Sequence, residues 1–527
     1  MQRGPCLIGK CASPGRRAGA VNLKTGKVWY VGAGPGNPEL ITLRGQELLK
    51  QADVVIHDSA MDPAFFYECQ ATTRLIDSLI NNFASPEELK SVVRQIILEA
   101  RSGARVVRLK SGDPLFFSRA LDEIAEIRAA GIPLEIVPGI AAPMAASAYA
   151  GVPLTNTRGF TGVAFVAACD LLGKPEDLES LARLASSSET LCVMLVAHQL
   201  RPVVERLLQL DGFASKMSLL IHRASLPQQR VAESPLAELV KLFESNPMPE
   251  PTLLLVGDLI GWREKLNWFE SLPLFGKRLL LCRPRQQSHD TVRAIRRRGA
   301  SAELLPLIEI EPVTNDSALT DCLSRVNGYD WVIFTSANGV EYFREASTAS
   351  GRDARVFGRA KVAVIGPGTA KPLEKWGIRP DLIAEEHVAE GLAREILAAG
   401  PAKSALLVRA REARDTLPNS LKQAGLEVNV VAAYATRKLA DQQREQLKSQ
   451  LESGAVDAVL LTSSSMAEAL IAALAADSVA TLSKVCVASI GPITTATLAR
   501  LGVAANLTAT TYTVEGLLDA IESYYQA

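Results

Sequence analysis

Short apolar runs that end at glycine or proline recur along the whole chain. One run covers 252–256 and another covers 279–282. Both have the length of a buried β-strand, whereas a membrane-spanning helix needs about 20 apolar residues. A proline-containing break separates the two runs, and the sequence on either side is long enough to form a domain. We therefore predict a linker at 271–275 between a region at 27–270 and a region at 276–527.

A helical pattern follows Ser85 in the first region. Ser85 suits the cap position, Pro86 the first helical position, and Glu88 the third position of a capping box. Apolar residues then recur at the spacing of one helix face, at Leu89, Val92, Val93, Ile96 and Ala100. Together these signals predict a helix that ends near Gly103.

Three predicted strands of the first region run directly into turns that contain glycine. The turns lie at 32–38, 111–114 and 138–140, and Asp58 closes a fourth apolar run at 53–58. The first turn lacks the Gly-x-Gly-x-x-Gly spacing, so a Rossmann dinucleotide loop is not indicated. Because parallel strands end at a common sheet edge, the pattern predicts an α/β domain with a ligand cleft at these turns.

The second region repeats itself at a long interval. The paired segments are Thr335-Ser336 with Thr462-Ser463 and Gly366-Pro367 with Gly491-Pro492. Such offsets indicate two copies of one α/β unit. Hydroxyl and N–H groups at helix starts favour anions, and Arg283 follows a neighbouring strand. Helix capping remains the simpler interpretation of any single serine or threonine, although the symmetry of the set favours a ligand site.

Composition limits the classes of function. The 57 basic and 57 acidic residues balance, which argues against a nucleic-acid surface spread over the chain. Eight cysteines without a Cys-x-x-Cys pair indicate neither a zinc site nor a disulfide framework, so we expect no metal and a cytoplasmic location. Residues 1–26 are basic without the pattern of a targeting signal, and we interpret them as a flexible tail. No apolar run suggests a membrane partner.

Five ordered motifs in the first region carry a resemblance to a known family. They are VGAGPGNPELITLRGQELLKQADVVIHD, RVVRLKSGDPLFF, VPGIAAPMAASAYAGVPLT, RASLPQQRV and GDLIGWREKLNWF. The stretch resembles the tetrapyrrole C-methyltransferases, and most closely the S-adenosylmethionine-dependent uroporphyrinogen-III C-methyltransferases. The resemblance implies two α/β domains with S-adenosyl-L-methionine bent into the cleft between them.

Site residues follow from this resemblance position by position. The implied donor site comprises Pro35, Ser111, Gly112, Asp113, Phe116, Ala141, Ala142, Leu195 and Ala224. Leu195 takes the place of the family methionine in strict register, with Met194 beside it. Asp58 takes the place of the proposed proton acceptor, although a carboxylate at a strand end can also serve only as a cap. The family lysine about twenty residues later has no counterpart at 74–79.

The second region resembles uroporphyrinogen-III synthase. The motifs are RPRQQ, PLIEIEP, VIFTSANGV, VIGPGTA, LVRA, VAAYATRK, LLTSSS and the final YT-x-EGL. The resemblance implies two α/β subdomains, about 276–310 with 437–527 and 311–436, joined by a two-stranded ladder. Tyr434 matches the tyrosine proposed to assist departure of the substrate hydroxyl. The implied cleft residues that bind substrate carboxylates are Ser336, Thr369, Ser463 and Thr494, to which the internal repeat adds Arg283. No cofactor is implied for this region.

The combined prediction is an α/β chain with a two-domain methylase fold followed by a two-domain synthase fold. We expect a bifunctional enzyme that cyclises hydroxymethylbilane to uroporphyrinogen III and methylates that product to precorrin-2. Two alternatives stay open: a first region that methylates another substrate, a later corrinoid or RNA, and a first region that only binds its ligands. The expected partners are small tetrapyrroles, with no nucleic acid and no membrane, and a homodimer through the methylase region is expected.

Overall fold

The computed structural model describes residues 25–526, except 60, 71, 81–84, 158, 169–174, 250–251, 285–287, 314–316, 387 and 414. Most of the basic tail predicted at 1–26 therefore lies outside the described residues. The chain divides into two compact units, Met1–Gly276 and Lys277–Ala527. We call them unit 1 and unit 2.

Unit 1 begins with a parallel five-stranded sheet in the order β3-β2-β4-β1-β5. Its strands are β1 Val28–Gly32, β2 Val54–His57, β3 Arg74–Asp77, β4 Val106–Lys110 and β5 Leu134–Val137. Its helices are α1 Leu43–Gln51, α2 Pro86–Arg101, α3 Ala120–Ala129 and α4 Ala142–Ala150. One face of the sheet packs on α2 and α3 and the other face packs on α1. This double coverage explains why its central strands are near-continuous apolar runs.

A second five-stranded sheet completes unit 1 in the order β6-β7-β10-β8-β9. Its strands are β6 Val163–Ala167, β7 Thr190–Leu195, β8 Met217–His222, β9 Arg230–Pro235 and β10 Thr252–Gly257. Its helices are α5 Pro175–Ser186, α6 Ala197–Leu207, α7 Leu236–Ser245 and α8 Arg263–Leu266. Helices α5 to α7 cover one face of this mixed sheet, and the opposite face packs against α4 of the first sheet.

Unit 2 contains two further sheets. A parallel sheet in the order β12-β11-β19-β20-β21 is formed by β11 Arg278–Leu281, β12 Ser301–Leu304, β19 Ala458–Leu461, β20 Cys486–Ser489 and β21 Leu507–Thr508. The helices of this part are α9 His289–Arg297, α15 Asp441–Glu452, α16 Ser464–Leu474, α17 Ser478–Leu482, α18 Pro492–Arg500 and α19 Val514–Gln526.

The middle of unit 2 forms a six-stranded sheet in the order β13-β18-β17-β14-β15-β16. Its strands are β13 Ile308–Pro312, β14 Trp331–Phe334, β15 Lys361–Val364, β16 Leu382–Ile383, β17 Ser404–Ala410 and β18 Glu427–Lys438. Its helices are α10 Ser317–Leu323, α11 Ala337–Ala349, α12 Pro367–Lys375, α13 Ala389–Ala398 and α14 Thr416–Gln423. The end of β18 pairs antiparallel with β13 where the chain passes between the two sheets, so this ladder crosses the boundaries anticipated near 310 and 436.

Local signals in the sequence have the structural effects that they predict. Ser85 accepts the backbone N–H of Glu88, and the Glu88 carboxylate accepts the N–H of Ser85, which completes the predicted capping box of α2. Thr42 caps α1 by accepting the N–H of Gly45. Both helix starts are therefore specified within a few residues of sequence.

One segment differs from the expectation that no apolar run could span a membrane. Residues Ser464–Leu482 are long and apolar enough by length and composition, with a mean hydropathy of 1.4. The segment is divided, however, into α16, a 3₁₀ turn and α17, and Ala475 at the break has a positive φ of 51°. Leu470, Leu474 and Leu482 pack in the core beside β19, which accounts for the apolar composition.

Close backbone contacts between glycines set the shape of the loops after β1, β4 and β5. A Cβ atom on Gly139 would lie 2.2 Å from the carbonyl oxygen of Gly112 and 2.8 Å from the Cα of Gly32. A Cβ atom on Gly32 would in turn lie 2.5 Å from the Gly139 nitrogen. The three loops can approach this closely only because no side chain stands between them.

We predict that Gly139→Ala destabilises unit 1 by about 1–3 kcal/mol, because the new methyl group overlaps backbone atoms that cannot rotate away. Urea unfolding, combined with hydrogen exchange of peptides from residues 25–150, measures the loss. Gly261→Ala is the matched control, since nothing lies within 4 Å of a Cβ atom at that position. Equal unfolding free energies for the two variants would contradict the contact.

Candidate active sites

The loops that follow the first parallel sheet meet at its carboxyl edge in unit 1. The backbones of Gly34 and Gly112 bridge each other, with N–H to oxygen distances of 3.1 and 2.8 Å in the two directions. The Asp113 carboxylate accepts the N–H of Gly139 at 3.0 Å and the N–H of Leu115 at 2.8 Å. Both carboxylate oxygens of Asp113 therefore accept backbone N–H groups. The bond to Gly139 ties the loop after β4 to the loop after β5.

The second sheet of unit 1 lies opposite these loops and contacts them. The N–H of Asn37 lies 3.4 Å from the Ser225 hydroxyl, which brings the loop containing Pro35 next to Ala224. The ring of Phe116 meets the ring of Phe165 on β6 edge to face, with centroids 5.6 Å apart. The loops that carry Pro35 and Phe116 thus both contact the second sheet, the first of them next to Ala224.

The prediction of Leu195 in the donor site is wrong for its side chain. Leu195 is 2% exposed and packs with Val193 and Leu191 in the core beneath α5 and α6. Side chains alternate along a strand, so the neighbouring Met194 lies on the other face. Met194 packs there with Phe165 and Ala224, on the side of the sheet that faces α4. On this face of the second sheet, Met194 therefore takes the place in the predicted donor site that was assigned to Leu195.

The remaining donor-loop residues leave room for a ligand. A Cβ atom on Gly112 would meet a single atom within 4 Å, the nitrogen of Ala142 at 3.9 Å. Ser111 and Ala142 are exposed, and Ala141 precedes α4 without a side-chain capping bond. Pro143 has no N–H and Met144 donates to the Ala141 carbonyl, so the N–H of Ala142 is the group at this helix start that suits a polar ligand. An open backbone beside an aromatic ring and a methionine is compatible with S-adenosyl-L-methionine.

Asp58 lies at the end of β2 inside a buried cluster of charges, which we call the Asp58 cluster. Its members are Asp58, Arg108, Lys110, Glu123 and Tyr30, all at most 1% exposed. One Asp58 oxygen, Oδ1, accepts from Arg108 at 2.6 Å and from Lys110 at 3.2 Å. The other oxygen, Oδ2, accepts the N–H of Ser111 at 3.0 Å. Glu123 accepts from Arg108 at 3.1 Å and from the Tyr30 hydroxyl at 3.0 Å.

Charge balance explains how the Asp58 cluster tolerates burial. Burial alone would raise the pKa of Asp58, but the adjacent Arg108 and Lys110 outweigh it and lower that pKa. Burial and the Glu123 carboxylate raise the pKa of Tyr30 well above its usual value. The cluster therefore holds two cations, two carboxylates and a neutral phenol, an arrangement in which no charge is left unpaired.

The position of Leu79 bears on the missing lysine. Leu79 follows β3, the strand next to β2, and its side chain is 81% exposed. Its φ of 57° places a leucine in the left-handed region, where its N–H is held by the Asp77 carboxylate at 2.8 Å. An exposed apolar side chain in strained backbone thus stands at the sheet edge where the sequence lacks the basic residue.

In unit 2, Tyr434 and Ser336 form a hydroxyl pair at the edge of the six-stranded sheet. Their oxygens lie 2.9 Å apart. Tyr434 comes from β18, beside the end of β17, and is 7% exposed. Ser336 directly precedes α11 and caps it by accepting the N–H of Gly339 at 3.0 Å. The predicted Ser336 and Tyr434 are therefore in direct contact.

The surroundings of Tyr434 favour the protonated phenol. Burial raises the pKa of Tyr434, while its hydrogen bonds with Ser336 and Asn338 lower that pKa part of the way back. The Tyr342 ring stacks on the Tyr434 ring at a centroid distance of 5.9 Å and fixes its plane. Asn338 and Tyr342 were not identified from the sequence, although both lie within six residues of Ser336 on the same helix.

The parallel sheet of unit 2 gathers two more of the predicted residues at its own carboxyl edge. Arg283 follows β11 and Ser463 follows the adjacent β19. In the described part of the chain no carboxylate pairs with Arg283, and burial lowers the pKa of its guanidinium. Ser463 caps α16 by accepting the N–H of Met466 at 3.2 Å, just as Ser336 caps α11. A half-buried cation without a counter-charge is receptive to an acidic ligand.

Thr369 and Thr494 have less access to a ligand than the sequence predicts. They lie in the first turns of α12 and α18 and are 5% and 4% exposed. The periodicity of the helix turns them toward the sheet, whereas the adjacent Ile493 is 78% exposed. Their role in binding substrate carboxylates stays a prediction, and their burial weakens it.

Arg108, Lys110 and Glu123 were missed by sequence reasoning, although β4 carries a signal for two of them. Arg108 and Lys110 are two residues apart within an otherwise apolar strand, so their side chains point to the same face. Two buried cations on one face require carboxylates, and Asp58 ends the neighbouring strand. Among the described residues, no group of three or more histidine, cysteine, aspartate or glutamate side chains could hold a metal ion.

Two family models match the chain in succession. Residues 27–240 match the model described as tetrapyrrole (corrin/porphyrin) methylases. Residues 289–519 match the model described as uroporphyrinogen-III synthase HemD. The first range holds the donor loops and the Asp58 cluster, and the second holds Ser336 and Tyr434.

Curated and solved relatives also carry names from tetrapyrrole biosynthesis. The porphyrin biosynthesis protein HemD of Ruminiclostridium josui is 28% identical over 88% of this chain and 92% of its own length. The siroheme synthase of Azotobacter vinelandii is 40% identical over 48% of this chain, which spans 54% of that relative. A uroporphyrin-III C-methyl transferase from Thermus thermophilus, solved in complex with S-adenyl homocysteine, is 31% identical over 45% of this chain and 99% of its own, with a TM-score of 0.37.

The order of the two matches agrees with the order of the two units. Unit 1 carries the methylase match and unit 2 carries the synthase match. The chain therefore combines an N-terminal region that matches the tetrapyrrole methylase family with a C-terminal region that matches the uroporphyrinogen-III synthase family.

Proposed function

We propose that the chain catalyses two consecutive steps of tetrapyrrole biosynthesis. Unit 2 closes hydroxymethylbilane to uroporphyrinogen III, and unit 1 transfers two methyl groups to that product to form precorrin-2, which leads to sirohaem and cobalamin. One observation carries the proposal: a region that matches the tetrapyrrole methylases and a region that matches uroporphyrinogen-III synthase, whose product is itself a tetrapyrrole, occur in the same chain.

The polar groups of unit 2 support the cyclisation. Arg283, which pairs with no carboxylate of the described residues, offers its positive charge to an acidic substrate. Tyr434 offers a phenol that stays protonated at neutral pH and can donate to a departing hydroxyl. Ring closure with inversion of the last pyrrole mainly requires that the linear substrate be held in one geometry, so few reactive groups are needed.

The loops of unit 1 support methyl transfer. Bound in the cleft, S-adenosyl-L-methionine would supply an electrophilic methyl group. We assign Pro35, Gly112 and Ala142 on the side of the first sheet, and Met194 and Ala224 on the side of the second, to the donor site. Methylation of a pyrrole carbon leaves a proton that a base must remove. Of the two Asp58 oxygens, Oδ2 has a single described partner, the N–H of Ser111, and is the atom available to take that proton.

A second function is favoured by Leu79 and by the burial of Asp58. An exposed leucine does not attract a substrate carboxylate, and a buried, ion-paired aspartate is a weak base. These features support a methylase region that is catalytically degenerate or acts on a different tetrapyrrole beside an active synthase. The two candidates predict different products from the same starting material.

The experiment is an incubation of the full chain with hydroxymethylbilane and S-adenosylmethionine that carries a labelled methyl group. We expect a labelled dimethylated tetrapyrrole, separated by chromatography, together with its uroporphyrinogen III precursor. Unlabelled uroporphyrinogen III alone would select the second candidate. The type I isomer alone, which forms spontaneously, would contradict a synthase function for unit 2.

We predict that Asp58→Asn lowers methyl transfer to supplied uroporphyrinogen III by at least about 100-fold, because the base is lost. Equilibrium dialysis with S-adenosylmethionine shows whether the cleft survives, since Arg108 and Lys110 keep only the Glu123 carboxylate as counter-charge in this variant. Asp53→Asn is the control: Asp53 pairs with Arg105 at 2.8 Å but lies at the amino end of β2 and is exposed. Wild-type transfer by a donor-binding Asp58→Asn protein would disprove the assignment.

A further inference from the structure

Ser336 holds a position that capping alone does not explain. Its hydroxyl oxygen accepts the N–H of Gly339, and the same oxygen lies 2.9 Å from the Tyr434 hydroxyl. Ser463, the equivalent cap of α16, has another serine hydroxyl, that of Ser465, at 3.0 Å in place of a tyrosine. The contact between a helix cap and a phenol is therefore a feature of one copy of the internal repeat.

The hydrogen atoms of this pair can be counted. A serine hydroxyl has one proton to donate and two lone pairs to accept, and the Gly339 N–H occupies one lone pair. If Tyr434 donates to Ser336, the tyrosine proton is consumed within the pair. If Ser336 donates to Tyr434, the tyrosine proton stays free for a third group. Only the second arrangement lets Tyr434 act as a proton donor.

Two neighbours favour the second arrangement. The start of α11 fixes the Ser336 oxygen through a backbone N–H, so the serine does not depend on Tyr434 for its position. Asn338, two residues later, also hydrogen bonds to the Tyr434 hydroxyl. The phenol oxygen of Tyr434 is thus flanked by two side chains that can donate to it from the first turn of one helix.

We propose that Ser336 is a positioning residue for the cyclisation: it donates its hydroxyl proton to the Tyr434 oxygen and directs the Tyr434 proton at the substrate hydroxyl. This inference rests on the proposed synthase function and revises the sequence prediction that Ser336 binds a substrate carboxylate. Ser336 lies at the start of α11 in contact with the Tyr434 hydroxyl, and it acts through Tyr434.

The step that this arrangement serves balances in atoms and charge. The bond between the terminal carbon of the linear substrate and its hydroxyl oxygen breaks, and both electrons leave with the oxygen. The Tyr434 proton joins that oxygen, so water departs, and the positive charge stays on the pyrrole that carried the hydroxymethyl group. The Tyr434 oxygen becomes a phenolate that accepts from Ser336 and Asn338 until a proton lost at ring closure restores it.

A double-mutant cycle tests the proposal. The full-length wild type and the variants Ser336→Ala, Ser336→Thr, Tyr434→Phe and Ser336→Ala/Tyr434→Phe are assayed for the type III isomer with hydroxymethylbilane. We expect Ser336→Ala to lower kcat about 10-fold with KM changed by less than about 2-fold, as for the loss of one hydrogen bond to a developing charge. We expect Ser336→Thr to recover most of the rate, because threonine keeps the hydroxyl.

The Tyr434→Phe background separates positioning from capping. If Ser336 acts through Tyr434, its removal costs less than about 2-fold once the phenol is gone. An equal loss in both backgrounds would show that Ser336 only caps α11 and would overturn the proposal. Ser463→Ala calibrates cap removal in urea unfolding, and we expect the same shift in midpoint for Ser336→Ala. If the urea midpoint of Ser336→Ala fell so much further that unfolding explained the lost rate, the proposal would also be overturned.

The same data distinguish failure of this inference from failure of the proposed function. A wild-type chain that forms no type III isomer contradicts the synthase function itself. A wild type that forms it, with an unchanged rate in Tyr434→Phe, contradicts the role of Tyr434 and hence that of Ser336. A large loss in Tyr434→Phe with no loss in Ser336→Ala contradicts only the positioning role.

Discussion

Parallel strands leave their carboxyl ends at one edge of a sheet, and the loops that follow must share that edge. In unit 1 the sharing is so tight that three loops touch at Gly32, Gly112 and Gly139, and a side chain on Gly32 or Gly139 would overlap backbone. Asp113 ties two of these loops together through the N–H of Gly139, and the backbone near Ala142 stays open. The proposed donor site therefore depends on the absence of side chains at these glycines as much as on the side chains that surround it.

Each unit also holds one acid–base group in a nearly dry position. Asp58 is kept ionised by Arg108 and Lys110, which lower its pKa against the effect of burial. Tyr434 is kept protonated by burial, which raises its pKa, although two neighbours can donate to its oxygen. A carboxylate suits the removal of a proton after methyl transfer, and a phenol suits the donation of a proton to a departing hydroxyl. The two environments thus match the opposite demands of the two proposed reactions.

Much of this arrangement could be predicted from the sequence because it is local. The caps at Thr42 and Ser85 involve residues three apart, and glycine after an apolar run predicts a turn at a strand end. The paired motifs at Ser336 and Ser463 predicted equivalent helix starts, and both serines are caps. The family resemblance supplied the order of the motifs and placed Asp58 and Tyr434 in separate regions.

What could not be predicted depends on strand register and on contacts across the sheet. Leu195 was assigned by counting from a motif, but the alternation of β7 turns its side chain into the core and presents Met194 instead. The side-chain partners of Asp58, Arg108 and Lys110, come from β4, fifty or more residues later, so no local pattern joins them. The contact of Ser336 with Tyr434 spans 98 residues and follows from the position of β18 beside β17.

The central claim is that two independent sites, one in each unit, act in sequence. Mixing two full-length variants tests it most directly: Asp58→Asn, which lacks the methylase base, and Tyr434→Phe, which lacks the phenol of the synthase site. Supplied with hydroxymethylbilane and labelled S-adenosylmethionine, each variant alone should form little labelled dimethylated product, and the mixture should restore it. A mixture that stays inactive, although Asp58→Asn still makes uroporphyrinogen III and Tyr434→Phe still methylates it, would contradict the independence of the two sites.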